Sequence, residues 1–192
     1  MKELKLKFDE FPELETERLK LIAITEDLTE QLFPLRSDPD IMRFIPRPLA
    51  KVPEDTRQWI RGIAEAFERN ELLYYALQEK SSQAVFGTLG LVRWQPKNYR
   101  AEIGYLMSKQ HRGKGYMQEA VRAIIAFAFR EMHFNTLYGI VDPENQASSN
   151  VLLKAGLRLE GHLKENEFYE GRFLDSLIYG ITRKEFEEKY YL

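Results

Sequence analysis

A short basic turn, residues 110–116, carries the residue types in this chain that are best suited to binding a charged ligand. Its two glycines, Gly113 and Gly115, stand one residue apart and let the backbone turn tightly, with no Cβ between the N–H groups and a ligand. An amphipathic helix is predicted to begin near Lys114, and the positive end of its dipole points back at the turn. Together with the side chain of Arg112, these groups indicate a binding site for a diphosphate.

The familiar nucleotide-binding motifs do not fit this turn. A P-loop needs four residues between its first glycine and the Gly-Lys pair and then Ser or Thr, whereas this chain has Tyr116 there. A dinucleotide fingerprint needs a third glycine three residues after the second, where this chain has Gln118. Taken alone, a Gly-x-Gly after a strand also suits a simple reversal of the chain, so the turn by itself leaves both interpretations open.

A second polar cluster opens the helix predicted over residues 145–155. By itself, Asn145 or Ser148 would be interpreted as an N-cap, because short polar side chains bond the free N–H groups at a helix start. The combination with the earlier turn is more specific. Gln-x-x-Gly-x-Gly is followed along the chain by Asn-x-x-Ser, and Lys154-x-Gly156 closes the second helix. The joint pattern favours a ligand site.

Composition limits the classes of function. With 192 residues, 44% hydrophobic and 30% charged, the chain is predicted to form one globular domain, residues 1–192, with its own core. A net charge of −2 provides no basic excess for general nucleic-acid binding. The absence of cysteine excludes disulfides, thiolate metal sites and a thiol nucleophile. The three histidines are too scattered to predict a metal site.

The chain has no predicted membrane segment. No stretch approaches the roughly 20 apolar residues that are needed to span a bilayer. Residues 1–7 alternate charge with leucine, unlike the apolar run of a signal peptide. We therefore expect no membrane association and a cytoplasmic location, with which the lack of cysteine is consistent.

Hydrophobic periodicity predicts the elements that must position these residues. Strands are predicted over residues 17–24, 72–78, 85–94, 101–107, 136–141, 157–168 and 173–181. Helices are predicted over residues 27–36, 53–67, 114–132 and 145–155, with a short charged helix at the end. The inward face of the third helix carries Val121, Ile124, Ile125 and Ala128. Gly87 and Gly90 predict a bulge or a close backbone approach in their strand. This order predicts an α/β (α+β) fold, a mixed sheet with helices on both faces.

At this point the sequence resembles the GNAT superfamily of N-acetyltransferases and, within it, the RimJ/RimL type. Beyond the two motifs, the matching stretches are residues 15–21, 101–105, 115–120, 142–145 and 159–161. The resemblance covers nearly the whole chain, from about Thr16 to Ile181. One departure is Leu157, where the family usually has Phe; it keeps the apolar contact.

The resemblance implies a single GNAT-like domain. Its sheet is mixed and mostly antiparallel, and it is splayed at a central parallel strand pair, here residues 101–107 and 136–141. Acetyl-CoA would lie in that cleft, with its pantetheine arm paired to the backbone and its pyrophosphate held by the turn. Carried over, the backbone positions are Leu106, Met107 and Ser108. The pyrophosphate amides are those of Arg112, Gly113, Lys114, Gly115, Tyr116 and Met117. Residues beside the pantetheine and the rest of the CoA are Asn145, Ser148, Asn150 and Lys154.

Transfer in such enzymes is usually direct, from acetyl-CoA to a neutral amine, which agrees with the lack of a cysteine to form an acyl-enzyme. The resemblance pairs Glu167 as general base with Ser148 as the acid that bonds the CoA sulfur. Glu102 is a second candidate for the base, and a water chain is a third. Either glutamate is also compatible with a solvated strand residue. Alternates for the acid are Tyr105, Tyr169 and Tyr179.

The acceptor implied is a primary amine, either the α-amine of a protein N-terminus, ribosomal proteins included, or a small-molecule amine. Two alternatives remain open from the sequence: a non-catalytic acyl-CoA-binding or regulatory module with the same fold, and a structural domain without a CoA site. Dimers are common in the family, so a homodimer is compatible with the resemblance. The aromatic residues of the last hairpin are expected to lie mostly in the core: Phe168, Tyr169 and Phe173.

Overall fold

An eight-stranded sheet organises the computed structural model, which describes residues 2–190. The strands are β1 Leu14–Glu15, β2 Leu19–Ala23, β3 Leu73–Glu79, β4 Val85–Gln95, β5 Arg100–Met107, β6 Thr136–Val141, β7 Arg158–Tyr169 and β8 Arg172–Thr182. Their order in the sheet is β1-β2-β3-β4-β5-β6-β8-β7. Every neighbouring pair is antiparallel except β5 and β6. The predicted mixed sheet with one central parallel pair is confirmed.

Helices cover both faces of this sheet, as predicted. They are α1 Thr29–Ser37, α2 Pro39–Met42, α3 Pro53–Glu68, α4 Tyr116–Arg130, α5 Gln146–Ala155 and α6 Arg183–Tyr190. Because successive side chains of a strand point to opposite faces, β3 contributes to two separate cores. Tyr75 and Leu77 pack in the core that contains α4, whereas Ala76 packs in the core that contains α1 and Ile60 of α3. None of the helices within residues 2–190 is long and apolar enough to cross a membrane.

Helix α4 carries the apolar face expected from its spacing. Its buried residues include all four predicted inward positions, Val121, Ile124, Ile125 and Ala128. Full burial of such a Val or Ile side chain contributes about 1.5–3 kcal/mol, so this face anchors α4 against the sheet. The helix begins at Tyr116, two residues later than predicted. Gly115 has φ 80° and stands outside the helix as its N-cap.

The glycines of β4 are required by close contacts. A Cβ on Gly90 would lie 2.7 Å from the carbonyl oxygen of Leu73 and 2.1 Å from the ring of Tyr74. A Cβ on Gly87 would lie 2.7 Å from the carbonyl oxygen of Leu106. The register between β3 and β4 also shifts beside Gly87, where Leu77 faces Gly87 and the next pair is Gln78 with Val85. The sequence prediction of a bulge or a close approach is therefore confirmed on both counts.

The parallel strands β5 and β6 stay paired for only a short distance. Their partners are Arg100 with Thr136, Ala101 with Leu137 and Glu102 with Tyr138. Beyond Glu102, β5 remains paired to β4 and β6 remains paired to β8, but the two strands no longer pair with each other. The sheet is thus split in its centre, and β5 has a free inner edge.

Strands β7 and β8 form a long hairpin closed by Glu170 and Gly171. These two residues have φ 46° and 79°, the left-handed conformation of a two-residue type I′ turn. The prediction that the aromatic residues here are mostly core is wrong, since Phe168 and Phe173 are each 63% exposed. They stand opposite each other and pack ring against ring at 5.0 Å, which covers part of each ring without burying it in the core. Tyr169 is half-buried.

Candidate active site

A cavity of about 550 Å³ lies at the split in the sheet. Its walls come from α1, α3, the segment after α2, strands β5 and β6, the start of α5 and the β7–β8 hairpin. Glu102, Ser148 and Glu167, which lie far apart in sequence, all line it. The structure therefore brings together the three side chains that the sequence marked as catalytic candidates.

Strand β5 presents the cavity with side chains from both of its faces. Ala101 and Ile103 pack in the core with α4, whereas Leu106 packs in the core with α1. By alternation, Glu102 faces the α1 side, and Tyr105 faces the α4 and α5 side. The split between β5 and β6 connects these two sides. A ligand entering from one face can meet a second ligand entering from the other.

Glu102 is held by a strong ion pair. Its Oε2 accepts a hydrogen bond from Nη1 of Arg93 at 2.7 Å, and the residue is only 8% exposed. Burial raises the pKa of Glu102 because the charged form loses its hydration, and the Arg93 guanidinium offsets part of that rise. The hydroxyl of Tyr138 also interacts with this carboxylate. The Glu102 carboxylate is therefore held in place by its contacts with Arg93 and Tyr138.

The carboxylate of Glu167 has fewer hydrogen-bond and ion-pair partners than that of Glu102. It is half-buried, and its side chain makes no hydrogen bond or ion pair with another residue in the range 2–190, although its charge acts on Arg93. Its negative charge contributes to the raised pKa of Glu102, which shows that the two carboxylates lie near each other. Of the two, Glu167 has its oxygens free to accept a proton.

A bulge in β7 sets the position of Glu167. Leu163 faces Ser176 and Glu167 faces Leu174, so three residues of β7 stand opposite the single residue Asp175 of β8. Asp175 holds the bulge by accepting bonds from the Glu165 N–H at 2.9 Å and from His162 Nε2 at 2.7 Å. The same bonds lower the pKa of Asp175. Bulges of this kind re-aim side chains next to active sites.

Ser148 lies in the first turn of α5 and is paired with Tyr105. Its N–H donates to Oδ1 of the N-cap Asn145 at 3.1 Å, which fixes the start of the helix. The phenol of Tyr105 donates to the Ser148 carbonyl at 3.1 Å and lies 2.7 Å from Ser148 Oγ. A phenol has one proton, so Ser148 Oγ is the donor in the second contact. Burial raises the pKa of Tyr105, which keeps the phenol protonated.

The other tyrosines proposed as acids are not part of this wall. Neither Tyr169 nor Tyr179 lines the cavity among the described residues. Tyr179 is buried in the core that contains α4, and Tyr169 lies at the end of β7 beside the hairpin turn. Of the hydroxyl candidates from the sequence, Ser148 and Tyr105 are thus the ones that line the cavity.

The glycine turn presents unused backbone N–H groups. Gly113 has φ 77° and Gly115 has φ 80°, both in the left-handed region. No hydrogen bond inside the described part of the chain uses the N–H groups of residues 113–115, and the first N–H groups of α4 have no partner within the helix. The N–H of Arg112, expected to belong to this set, instead donates to the Lys109 carbonyl at 3.2 Å. The free series therefore begins at Gly113 and continues into α4 through Tyr116 and Met117.

Two exposed cations flank these amides. The side chains of Arg112 and Lys114 form no ion pair with any described residue. Free amides, a helix N-terminus and unpaired cations are the groups that bind phosphate oxygens. The structure thus has, at the predicted place, a cradle that fits a diphosphate.

A hydrogen-bonded cluster behind the turn was missed by sequence reasoning. Arg18 donates to the Lys114 carbonyl at 2.9 Å, and its guanidinium lies 4.4 Å from the ring centre of Tyr116. Glu119, in the first turn of α4, accepts from Arg18 Nε at 2.7 Å and from the hydroxyl of Thr16. The only signal was that both stretches matched the family pattern. These contacts connect the residues just before β2 to the first turn of α4 and to the carbonyl of Lys114 in the glycine turn.

The free inner edge of β5 offers hydrogen bonds to an extended ligand. The N–H of Ser108 donates to the Phe86 carbonyl at 2.9 Å and so points toward β4. Because N–H and C=O directions alternate along a strand, Leu106 also points toward β4, and Met107 and Tyr105 point toward the split. Of the three predicted backbone positions, Met107 therefore faces the ligand side, and Tyr105 joins it. The backbone groups of Leu106 and Ser108 face β4, and the hydroxyl of Ser108 shares a 2.7 Å hydrogen bond with Nδ1 of His111.

Helix α5 forms the far border of the cleft. Asn145 lines the cavity, whereas Asn150 and Lys154 are exposed one turn apart on the outer side of the helix. Asn150 accepts a hydrogen bond from Gln146 at 3.2 Å. Within residues 2–190 no cluster of side chains could hold a metal ion.

Comparison with known proteins points in the same direction as this geometry. Residues 18–158 match the family model described as an acetyltransferase (GNAT) domain. YoaA of Bacillus subtilis (strain 168), an uncharacterized N-acetyltransferase, is 27% identical over 173 residues, which is 90% of this chain and 98% of YoaA. The ribosomal-protein-serine acetyltransferase of Escherichia coli (strain K12) is 26% identical over 167 residues, 85% of this chain and 92% of that protein.

Solved structures share the fold. A GNAT-family acetyltransferase from Bacillus anthracis superimposes with a TM-score of 0.82 at 24% identity, covering 90% of this chain and 99% of the other. RimL, a ribosomal L7/L12 α-N-protein acetyltransferase crystallised with coenzyme A, gives a TM-score of 0.81 at 22% identity, covering 89% of this chain and 98% of the other. At these identities the superpositions establish the fold.

Proposed function

We propose, from the premise that this chain belongs to the GNAT family of acetyl-CoA-dependent N-acetyltransferases, that its acceptor is the α-amine of a protein N-terminus. The observation that carries the proposal is the cavity at the split sheet, which Glu102, Ser148 and the unpaired side chain of Glu167 all line. A relative of similar length that acts on a ribosomal protein supports the choice of a protein acceptor. A small-molecule amine is the second candidate, because a cavity of about 550 Å³ lies in the size range of small-ligand sites.

The chemistry requires the amine to lose a proton. An α-amino group has a pKa near 8, so at neutral pH most of it is protonated and cannot attack. In the proposed reaction the ammonium group first loses a proton to solvent, and the neutral amine attacks the thioester carbonyl to form the C–N bond. As the C–S bond of acetyl-CoA breaks, Glu167 takes the second proton from the nitrogen of the new amide. Ser148 donates a hydrogen bond to the departing sulfur. The proton taken by Glu167 reaches the thiol after exchange with solvent.

The remaining residues act through position and charge. Glu102, whose charge is compensated by Arg93, helps to fix the acceptor side of β5, next to the unpaired carboxylate of Glu167. Acetyl-CoA would be held by the amides of residues 113–117 and by the free edge of β5 at Tyr105 and Met107. We also propose that the chain acts as one domain in the cytoplasm, for which the absence of cysteine is supporting evidence.

Replacing Glu167, with its neighbour Glu165 as the control, tests the proposal. For Glu167→Gln we expect kcat for amine acetylation to fall by about 10²–10⁴, because a general base is lost, while the affinity for CoA stays unchanged. Glu165→Gln is the matched control, because Glu165 is exposed, lies two residues before Glu167 within the bulge and keeps its N–H in the variant. Equal kcat in all three proteins would contradict the role of Glu167. CoA binding without turnover of any amine would favour the non-catalytic module.

A further inference from the structure

The acceptor side of the cavity contains a guanidinium that the proposed chemistry does not use. Arg36, at the end of α1, is half-buried and lines the cavity. Its Nε is inaccessible to solvent and has no hydrogen-bond partner, and no carboxylate pairs with its side chain among the described residues. Arginine keeps its charge inside proteins, so this is a cation placed in the wall of the site without a counter-ion.

Aromatic rings hold Arg36 in place. Its guanidinium lies 4.3 Å from the ring centre of Trp59, and Trp59 packs edge-on against Tyr74 with ring centres 6.0 Å apart. Stacking covers a face of a guanidinium and leaves the N–H groups in its plane available. Burial lowers the pKa of Arg36, which is the cost of keeping the charge there without a partner.

The other two arginines that line the cavity differ from Arg36 in their pairing or in their exposure to solvent. Arg93 is paired with Glu102 at 2.7 Å. Arg47 is exposed and donates to the carbonyl of Pro46 at 2.8 Å. Arg36 is thus the half-buried cation of this wall that pairs with no carboxylate of the described residues; the charge of Arg47 is also unpaired there, but Arg47 is exposed to solvent.

Arg36 and Glu102 therefore line the same cavity with opposite charges. Tyr74 lies between them: its phenol accepts a hydrogen bond from Thr88, and the charges of both Arg36 and Glu102 act on its pKa. A ligand that placed a cationic amine beside Glu102 and Glu167 would have room for an anionic group beside Arg36. Unpaired buried charge is costly, and a ligand of opposite charge removes that cost.

We infer that Arg36 binds an anionic group, a carboxylate, on the acceptor, so that the substrate class is a primary amine that also carries a carboxylate. The inference rests on the proposed function, since it assigns the specificity of the same site. Two sources share this chemistry: the C-terminal carboxylate of a small free peptide, and an acidic side chain close to a protein N-terminus.

Matched acceptors test this inference and separate the two sources. In the first arm, alanyl-alanine is compared with alanyl-alaninamide; in the second, alanyl-aspartate α-amide is compared with alanyl-asparagine α-amide. CoA release gives kcat and KM for each. We expect the carboxylate member to be preferred at least tenfold in kcat/KM in one arm, mainly through KM, and Arg36→Gln to abolish that preference. Arg36→Lys, which keeps the charge, should retain part of it.

Arg100 provides the matched control. It is also half-buried, stacks on a ring (Tyr138, 4.2 Å) and has a buried Nε without a partner, but it does not line the cavity. Arg100→Gln should leave the preference ratio unchanged, and thermal melts establish that each variant is folded. Equal kcat/KM for both members in both arms would overturn the inference and leave the proposed function standing, as would a preference that persists in Arg36→Gln. No turnover of any member, with acetyl-CoA bound, would count against both.

Discussion

Ser148 and Tyr105 form one hydrogen-bonded unit. The serine hydroxyl donates to the phenol, and the phenol donates to the serine carbonyl, so the orientation of each depends on the other. If Ser148 turns to bond a departing sulfur, the phenol is positioned to follow and donate to Ser148 Oγ. Acidity at this site then belongs to the pair and not to one residue.

The unit predicts coupled effects of mutation. We expect Tyr105→Phe and Ser148→Ala each to lower kcat about tenfold without raising KM for acetyl-CoA, because binding uses the backbone of β5 and the glycine turn. The double variant should be little worse than either single one, since neighbours in one network are not additive. Steady-state kinetics measure this. Tyr179→Phe, a buried tyrosine outside the cavity, should stay within about twofold of the wild type, and an equal loss there would argue against the assignment.

Arg93 and Glu102 predict a pH dependence of stability. The pKa of Glu102 is raised in the folded protein by burial, and Arg93 limits the rise. A raised carboxyl pKa means that the favourable contribution is present below the unfolded pKa and is lost as pH rises through the folded pKa. In Arg93→Gln the folded pKa rises further. Thermal melts should therefore show a Tm deficit for Arg93→Gln that is small near pH 5 and grows toward pH 8.

The double variant is the control for that assignment. In Arg93→Gln/Glu102→Gln no carboxyl group remains to be ionised at this position, so the growth of the deficit with pH should disappear. A deficit that grows equally in the double variant would mean that other groups are responsible for the pH dependence.

At the level of elements, the glycine turn has a left-handed backbone that would be strained by any side chain, and it is also the predicted diphosphate site. Gly113 and Gly171 have nearly the same φ, 77° and 79°, and a Cβ at either would meet open space. Alanine at each position should therefore cost a similar amount of stability, about 1 kcal/mol, from backbone strain alone. Only Gly113 lies in the diphosphate cradle.

This pair separates folding from binding. We expect Gly113→Ala to raise the Kd for CoA by about tenfold, because a shifted backbone misplaces the N–H groups, while Gly171→Ala leaves Kd unchanged at a comparable loss of Tm. Titration calorimetry and thermal melts measure the two quantities. Unchanged CoA affinity in Gly113→Ala, with the strain visible in Tm, would place the diphosphate elsewhere.

The β7–β8 hairpin and the end of α1 lie far apart in sequence and yet line the same cavity. The bulge of β7, locked by Asp175, positions Glu167, and the end of α1 positions Arg36 on the same cavity. Neither element contributes a recognisable motif. The wall that we propose to select the acceptor is therefore built from the parts of the chain where the sequence pattern is least informative.

For the molecule as a whole, binding must add to stability. A ligand that binds only the folded state at about 100 times its Kd adds roughly 2.7 kcal/mol, which for a domain of this size corresponds to a rise in Tm of roughly 5–10 °C. We expect this rise with acetyl-CoA and with CoA, because the cradle and the free edge of β5 are shared by both. Thermal melts measure it. A folded sample with no shift at saturating ligand would contradict the cofactor site.

The order of strands and helices follows from the sequence alone. Alternation and 3.6-residue periodicity placed seven strands and the main helices within about two residues, since burial of one face dictates both patterns. The two-residue strand β1 was not predicted, because so short a segment carries no periodic signal. The aromatic residues of the hairpin were assigned to the core because ring size predicts burial on average, but two of them pack on each other instead.

The glycine turn, its cations and the polar start of α5 are local, so the sequence by itself predicts a diphosphate site there and determined which family the chain resembles. The partners of those residues are not local. Arg93 reaches Glu102 across a strand connection, Arg18 reaches Glu119 across most of the domain, and Tyr105 reaches Ser148 across the split. Only the tertiary structure decided which carboxylate side chain is unpaired, which backbone groups face the cleft and which half-buried arginine of the cavity has no carboxylate partner. The reason is physical: hydrogen bonds and charge compensation depend on distance in space, and residues far apart in sequence come close only when the helices pack on the sheet.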